Sequence, residues 1–324
     1  MVLLRRSALF AGLMITGLLT APAVAAGYPE RPIRVVIPYT AGGVAETAVR
    51  LLAVGMERKL GQKLIIEAKP GAAGNLGTIE VARADPDGYT ILVAPTNNII
   101  INQFMSAMPI DPLIALMPVA KIAEVPLVLF SNPAVSARTL KEFVSYVKAN
   151  PGKTNYGTPS TGSLNHLLVE RLKQATGIDI VHVPFRGTPQ AVVALLTNEI
   201  QLFPIGMAAG IGHLKEGKLT ALAVATEQRS PMLPDVPTVI ESGFPGFTAM
   251  TWWAMLVPTG TPDAVIKILQ EAIAEGLKDP TLIDRFKALG MIVPSGSRED
   301  FMNTIKSEAA IWRETIEKGG ITLQ

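Results

Sequence analysis

Short apolar runs alternate along this chain with longer amphipathic stretches, the pattern of layered α/β folds with parallel strands. Ile33 to Pro38 reads as a buried strand and Ala45 to Leu60 as the helix that follows, with Gly61 as its stop. Strands are expected at Lys63 to Glu67 and Tyr89 to Ala94, with a short helix over Thr78 to Ala84 between them. Val125 to Phe130 reads as a further buried strand, after which the pattern restarts. A helix from Thr139 to Ala149 is ended by Asn150-Pro151-Gly152, and helices near Asn165 to Thr176 and Pro189 to Asn198 frame strands at Ile180 to Pro184 and Leu219 to Ala225. Trp252 to Val257 reads as a late strand. The last helices begin at Thr261-Pro262-Asp263, with Thr261 as N-cap and Pro262 first in the helix, and near Ser297.

A mature chain of about 300 residues is large for one core, so two lobes are expected. Residues 27–124 and the return 249–324 are assigned to the first lobe and 125–248 to the second. Two crossover segments would join them around a cleft, with the terminal helices packed on the first lobe. The N-terminus has its own pattern. Arg5 and Arg6 precede an apolar run from Ala8 to Leu19, and Ala23-Val24-Ala25-Ala26 supplies small residues for cleavage, so residues 1–26 read as a secretory signal. That run is shorter than the ~20 residues a spanning helix needs.

Charge narrows the partners. The 29 Lys and Arg include Arg5 and Arg6, so the remaining 27 balance the 27 Asp and Glu, and a nucleic-acid partner is not expected. With no cysteine, disulfides, thiolate metal sites and cysteine catalysis are excluded, and three histidines do not suggest a metal centre.

Two loops share one construction, in which an apolar strand enters a Gly- and hydroxyl-rich turn that opens onto a helix. The first is Tyr39-Thr40-Ala41-Gly42-Gly43, and the second is Thr158-Pro159-Ser160-Thr161-Gly162-Ser163. Helix starts present unpaired N–H groups and the positive end of the macrodipole, so two such loops facing each other would clasp an anion without lysine or arginine. Either loop alone reads better as an ordinary helix cap, and it is the pair, one in each expected lobe, that favours a ligand site. Thr96, Asn97 and Asn98 follow a strand's carboxyl end, where open α/β sheets bind ligands, or else cap the next helix. A hydrolase built on Ser160 and His166 is the competing enzyme reading. It lacks the Gly-x-Ser-x-Gly spacing of a nucleophile elbow and any placed acid. His182 and His213 read as structural.

Seven collinear strings cover the chain: Tyr28-Pro29-Glu30-Arg31-Pro32-Ile33-Arg34, Pro70-Gly71-Ala72-Ala73-Gly74-Asn75-Leu76-Gly77, Asp85-Pro86-Asp87-Gly88-Tyr89-Thr90, Asn155-Tyr156-Gly157, His182-Val183-Pro184-Phe185-Arg186-Gly187, Leu233-Pro234-Asp235-Val236-Pro237-Thr238 and Pro258-Thr259-Gly260-Thr261-Pro262. Together they resemble the extracytoplasmic receptors of tripartite tricarboxylate transporters, the Bug family. The resemblance implies a periplasmic binding protein of type II topology that performs no chemistry, needs no cofactor or metal, and delivers a small carboxylate to membrane permease subunits. A monomer is expected.

Carried over, the family's ligand loops are Tyr39 to Gly43 and Thr158 to Ser163, with His166 just inside the following helix. Two departures bear on the ligand. Glu46 stands where relatives usually carry Asp, and Ile205 stands where they often carry an acid. An unpaired buried ammonium would be costly there, so amino-acid ligands are disfavoured. An apolar far wall of Ile205, Met207 and one of Trp252 and Trp253 is expected, suited to an aliphatic or aromatic carboxylate. A periplasmic sensor using the same cleft is the remaining alternative.

Overall fold

The computed structural model describes residues 27–322, so the expected leader, residues 1–26, lies outside the described residues. The chain runs β1 (Ile33–Ile37), α1 (Val44–Leu60), β2 (Leu64–Ala68), α2 (Asn75–Ala82) and β3 (Thr90–Pro95), then one π-helical turn (Asn97–Ile101) continuing into α3 (Asn102–Met105). Next come α4 (Pro112–Ala115), β4 (Leu116–Ser131), α5 (Leu140–Ala149), β5 (Asn155–Thr158), α6 (Leu164–Thr176), β6 (Val181–Pro184), α7 (Thr188–Leu196), β7 (Leu202–Gly206), α8 (Met207–Lys215) and β8 (Thr220–Val224). The chain closes with β9 (Met250–Pro258), α9 (Asp263–Gly276), α10 (Pro280–Ala288) and α11 (Arg298–Gly319).

The strands form one path in the order β2-β1-β3-β9-β4-β7-β5-β6, with β8 paired to β4. β1 lies parallel to β2 and β3, and β9 is antiparallel to both β3 and β4. The expected strand at Val125 to Phe130 is the end of the 16-residue β4, which serves both halves of the molecule. Its segment from Leu116 to Pro126 pairs with β9, and Leu127 to Ser131 pairs with β7 and β8. Lys121 and Glu124 obscured that length in the sequence, and they are tolerated because they bond to each other. The return crossing lies alongside, where the Ala249 amide donates to the Ala225 carbonyl at 2.8 Å.

Each half has its own apolar layer. In one, α1 and α9 cover β1 and β3, and Gly55 meets Gly276 so closely that a Cβ at Gly55 would lie 2.4 Å from the Gly276 Cα. In the other, α7 and α8 cover β7 with Ala191, Leu195, Phe203 and Ile205. A third cluster spans both halves, from Leu92 and Ile100 to Phe143 and Leu168, and includes Phe301 and Trp312 of α11. The last helix therefore departs from the expectation that the terminal helices stay on the first half. α11 lies against α6 as well, and the Gln174 side chain donates to the Thr315 carbonyl at 2.9 Å. Its start is closed by a reciprocal capping box between Ser297 and Asp300. Thr261 is not the N-cap of α9. Its hydroxyl donates back to the Pro258 carbonyl at 2.8 Å, and the helix begins one residue later than expected, after Pro262.

Candidate functional site

Both glycine-rich loops are wired alike, a feature their composition does not reveal. In the first, Gly42 takes a left-handed φ of 84°, Gly43 is the N-cap, and the carboxylate of Glu46 reaches back to accept the Gly42 N–H at 2.7 Å. In the second, Gly162 has φ 73°, Ser163 is the N-cap, and Nδ1 of His166 accepts the Gly162 N–H at 3.1 Å. The acceptor sits at the third helical position in each case. The Gly42 bond, with Arg50 as a second partner, holds the Glu46 carboxyl below the usual range.

The two glycine amides are thus engaged inside their own loops. Among the described residues, the first-turn N–H groups of Ala45 and Glu46 in α1 and of Leu164 and Asn165 in α6 have no acceptor within the protein. The hydroxyls divide in the same way. Thr158 donates to the Ser160 carbonyl at 3.0 Å and meets Nε2 of His182 at 2.6 Å, and Ser163 donates to the same carbonyl at 2.8 Å. Both are buried. Ser160 and Thr40 are exposed, and Thr161 is half-buried.

Asn97 joins the halves. Its Nδ2 donates to the Gly162 carbonyl at 3.0 Å, bringing the end of β3 onto the second loop. Asn98 beside it is buried, accepts the Tyr39 hydroxyl at 2.5 Å, and donates to the Ala73 carbonyl at 3.1 Å. The same network therefore ties in the first loop. Burial pushes the Tyr39 phenol pKa up. Its ring meets Trp253 edge-on at 5.8 Å between centroids. Thr96 is buried and accepts the Trp252 N–H at 3.2 Å, so it fastens β3 to β9.

The expected far wall needs correction. Strand residues two apart share a face, so Ile205 lies on the side of Phe203, in the cluster under α7 and α8, with only 1% of its surface exposed. Met207 belongs to the same cluster, and its sulfur accepts the Ser230 hydroxyl at 3.5 Å. Trp252 and Trp253 point to opposite sides of β9. Trp252 is buried with its indole N–H on Glu308 at 2.9 Å, which leaves Trp253 as the aromatic beside the loops.

Sequence reasoning did not see the layer behind the second loop. His166 from α6 and His182 from β6 stack at 3.9 Å with an interplanar angle of 12°, and Tyr156 from β5 stacks on His182 at 4.9 Å. The Tyr156 hydroxyl donates to Glu170 at 2.5 Å, and Lys173 holds the same carboxylate oxygen at 2.7 Å. Burial pushes both imidazoles down to about 4. Neither ring nitrogen of His166 bonds to Ser160, since Nδ1 takes the Gly162 amide and Nε2 lies 3.9 Å from Glu170. That arrangement has no base on the serine.

A mixed α/β fold whose sheet passes from one half to the other at β4 and β9, with paired helix-start loops beside the passage, defines a periplasmic solute-binding protein. More narrowly, the family model described as "Tripartite tricarboxylate transporter family receptor" matches residues 48–321, and the chain belongs to this family. Protein BugT of Bordetella pertussis is 33% identical over 92% of this chain and 93% of its own length. The structure of the periplasmic binding protein BugD superposes with a TM-score of 0.73 at 33% identity, covering 92% of this chain and 100% of its own. MatC from Rhodopseudomonas palustris, solved with bound malate, gives a TM-score of 0.73 at 30% identity over 89% of this chain and 100% of its own. The match extends along nearly the whole described chain.

Proposed function

We propose that this protein is an exported, periplasmic receptor that captures a small carboxylate and hands it to the membrane permease of a tripartite transporter. The observation that carries the reading is the linkage of two helix-start loops through the turn after β3, where Asn97 bonds Gly162 of the second loop and Asn98 bonds Tyr39 of the first, with free amides on both helices. The carboxylate meets Thr40, Ala41, Gly43, Ser160 and Thr161 together with the first-turn amides of α1 and α6, with Tyr39 and Asn97 between the loops. Thr96, Thr158, Ser163, Glu46 and His166 act from behind, shaping these surfaces through their internal bonds. Amides and hydroxyls hold a carboxylate by hydrogen bonds that strengthen when the halves close and exclude water.

Malate bound to a relative supports an aliphatic dicarboxylate as the first substrate class to test, with tricarboxylates and aromatic carboxylates beside it. A thermal-shift screen of the purified protein against malate, citrate, benzoate, phthalate and nicotinate tests this. A ligand that binds only the native state raises Tm by mass action, and at 100 times its Kd it adds roughly 2.7 kcal/mol. An unchanged Tm across the whole panel refutes the carboxylate assignment.

A further inference from the structure

We propose that His166 and His182 form a positioning pair that holds the second loop in its anion-presenting shape, and that His166 does so only as a neutral imidazole. The proposal rests on the reading of that loop as a carboxylate site. The direction of each hydrogen bond around the two rings fixes where their protons sit. The Gly162 N–H is a donor, so Nδ1 of His166 must carry a lone pair and the ring proton must sit on Nε2. The Thr158 hydroxyl donates its one hydrogen to the Ser160 carbonyl, so toward His182 it can only accept, and His182 also carries its proton on Nε2.

A second proton on His166 would land on Nδ1, facing the amide of Gly162. Two donors would then oppose each other, and Gly162 would lose the acceptor that bends the loop at its left-handed φ. The surroundings favour the neutral pair. The rings are stacked at 3.9 Å, so charging one opposes charging the other. Tyr156 from β5 adds an aromatic face to His182. On α6, Glu170 is the one acid facing the pair, and its oxygen is already taken by the Tyr156 hydroxyl and by Lys173, whose charge opposes a further cation. Burial of His166 acts in the same sense. The first loop solves the same problem with the Glu46 carboxylate, an acceptor with no ring proton to misplace.

The test begins with nitrogen-15 NMR of histidine side chains in the full mature protein, without ligand. Both rings are expected as Nε2–H tautomers with titration midpoints below pH 5, and a Nδ1–H tautomer on either ring overturns the proposal. Amide hydrogen exchange at Gly162 is then compared in wild type, His166→Leu and His166→Asn. Asn carries an oxygen where Nδ1 stands, so it should preserve protection, whereas Leu should lose it by about tenfold, the scale of one hydrogen bond. Equal exchange in wild type and His166→Leu overturns the proposal.

With malate as probe, the ratio of wild-type to His166→Asn affinity should fall as pH drops from 6 to a unit below the His166 midpoint found by NMR, a comparison in which the probe's own titration cancels. A flat ratio refutes the requirement for a neutral His166 ring. If the NMR and exchange results come out as expected while wild type binds neither malate nor any of the screened carboxylates, the positioning role stands and the carboxylate reading fails.

Discussion

If the protein closes around its ligand as proposed, Asn97→Ala should perturb closure while leaving the rest of each loop intact. The side chain makes one bond, Nδ2 to the Gly162 carbonyl at 3.0 Å, and it links the end of β3 to the second loop. When the halves separate, that carbonyl returns to water, so the loss falls on the closed form alone. A neutral hydrogen bond of this kind contributes about 0.5–1.5 kcal/mol net, which shifts the closure equilibrium and the apparent ligand affinity by roughly two- to tenfold. Asn97→Asp should act more strongly, because it turns an acceptor toward the carbonyl. The chain has no cysteine, so Val54→Cys on α1 and Val193→Cys on α7, both largely exposed, accept a pair of spin labels without background. Pulsed dipolar spectroscopy without ligand should show a longer and broader distance distribution in Asn97→Ala, and calorimetry with malate should show the weakened affinity. Superimposable distributions in all three proteins would refute the reasoning, because closure would then not depend on this bond.

Two further substitutions test the scaffold behind the site. Burial raises the Glu308 carboxyl to about 7 against the opposing pull of the Trp252 indole N–H, so its ionisation opposes folding. The protonated form is favoured in the native state, hence its contribution is fully present below pH ~4.5 and is lost as pH rises through 7. Glu308→Gln should therefore gain about 1–3 kcal/mol on wild type between pH 5 and pH 8, read from urea unfolding, and parallel pH profiles would refute the assignment. Ile205→Asp places a carboxylate in the cluster with Phe130, Phe203 and Leu195, so it should cost 3 kcal/mol or more in stability, roughly the penalty for an unpaired buried charge. A Tm within a degree or two of wild type would mean that Ile205 faces water or the cleft after all.

How much was legible varies by element. The boundaries of α1, α5 and α6 follow from Gly61, Thr139 and Gly177, because caps are local chemistry that backbone geometry honours wherever the helix sits. The full length of β4 was not legible. Its middle carries Lys121 and Glu124, and only their mutual bond, set by packing against α11, makes a strand there acceptable. Only the family resemblance puts Ile205 on the cleft, and an apolar residue on a short strand fits a pocket wall or a core equally well until the covering helices are known.

The order of residues alone determined the two loops, the strand-to-helix passages that carry them and the absence of basic side chains inside them, since glycine conformations and hydroxyl positions are written residue by residue. Which amides stay free, that His182 stacks on His166, and that Asn97 reaches Gly162 were decided only by the tertiary structure. Those contacts join the turn after β3 to the loop before α6, and β6 to α6, residues that are distant in the chain. A hydrogen bond depends on positions to within a few tenths of an ångström, and only the packed sheet supplies them.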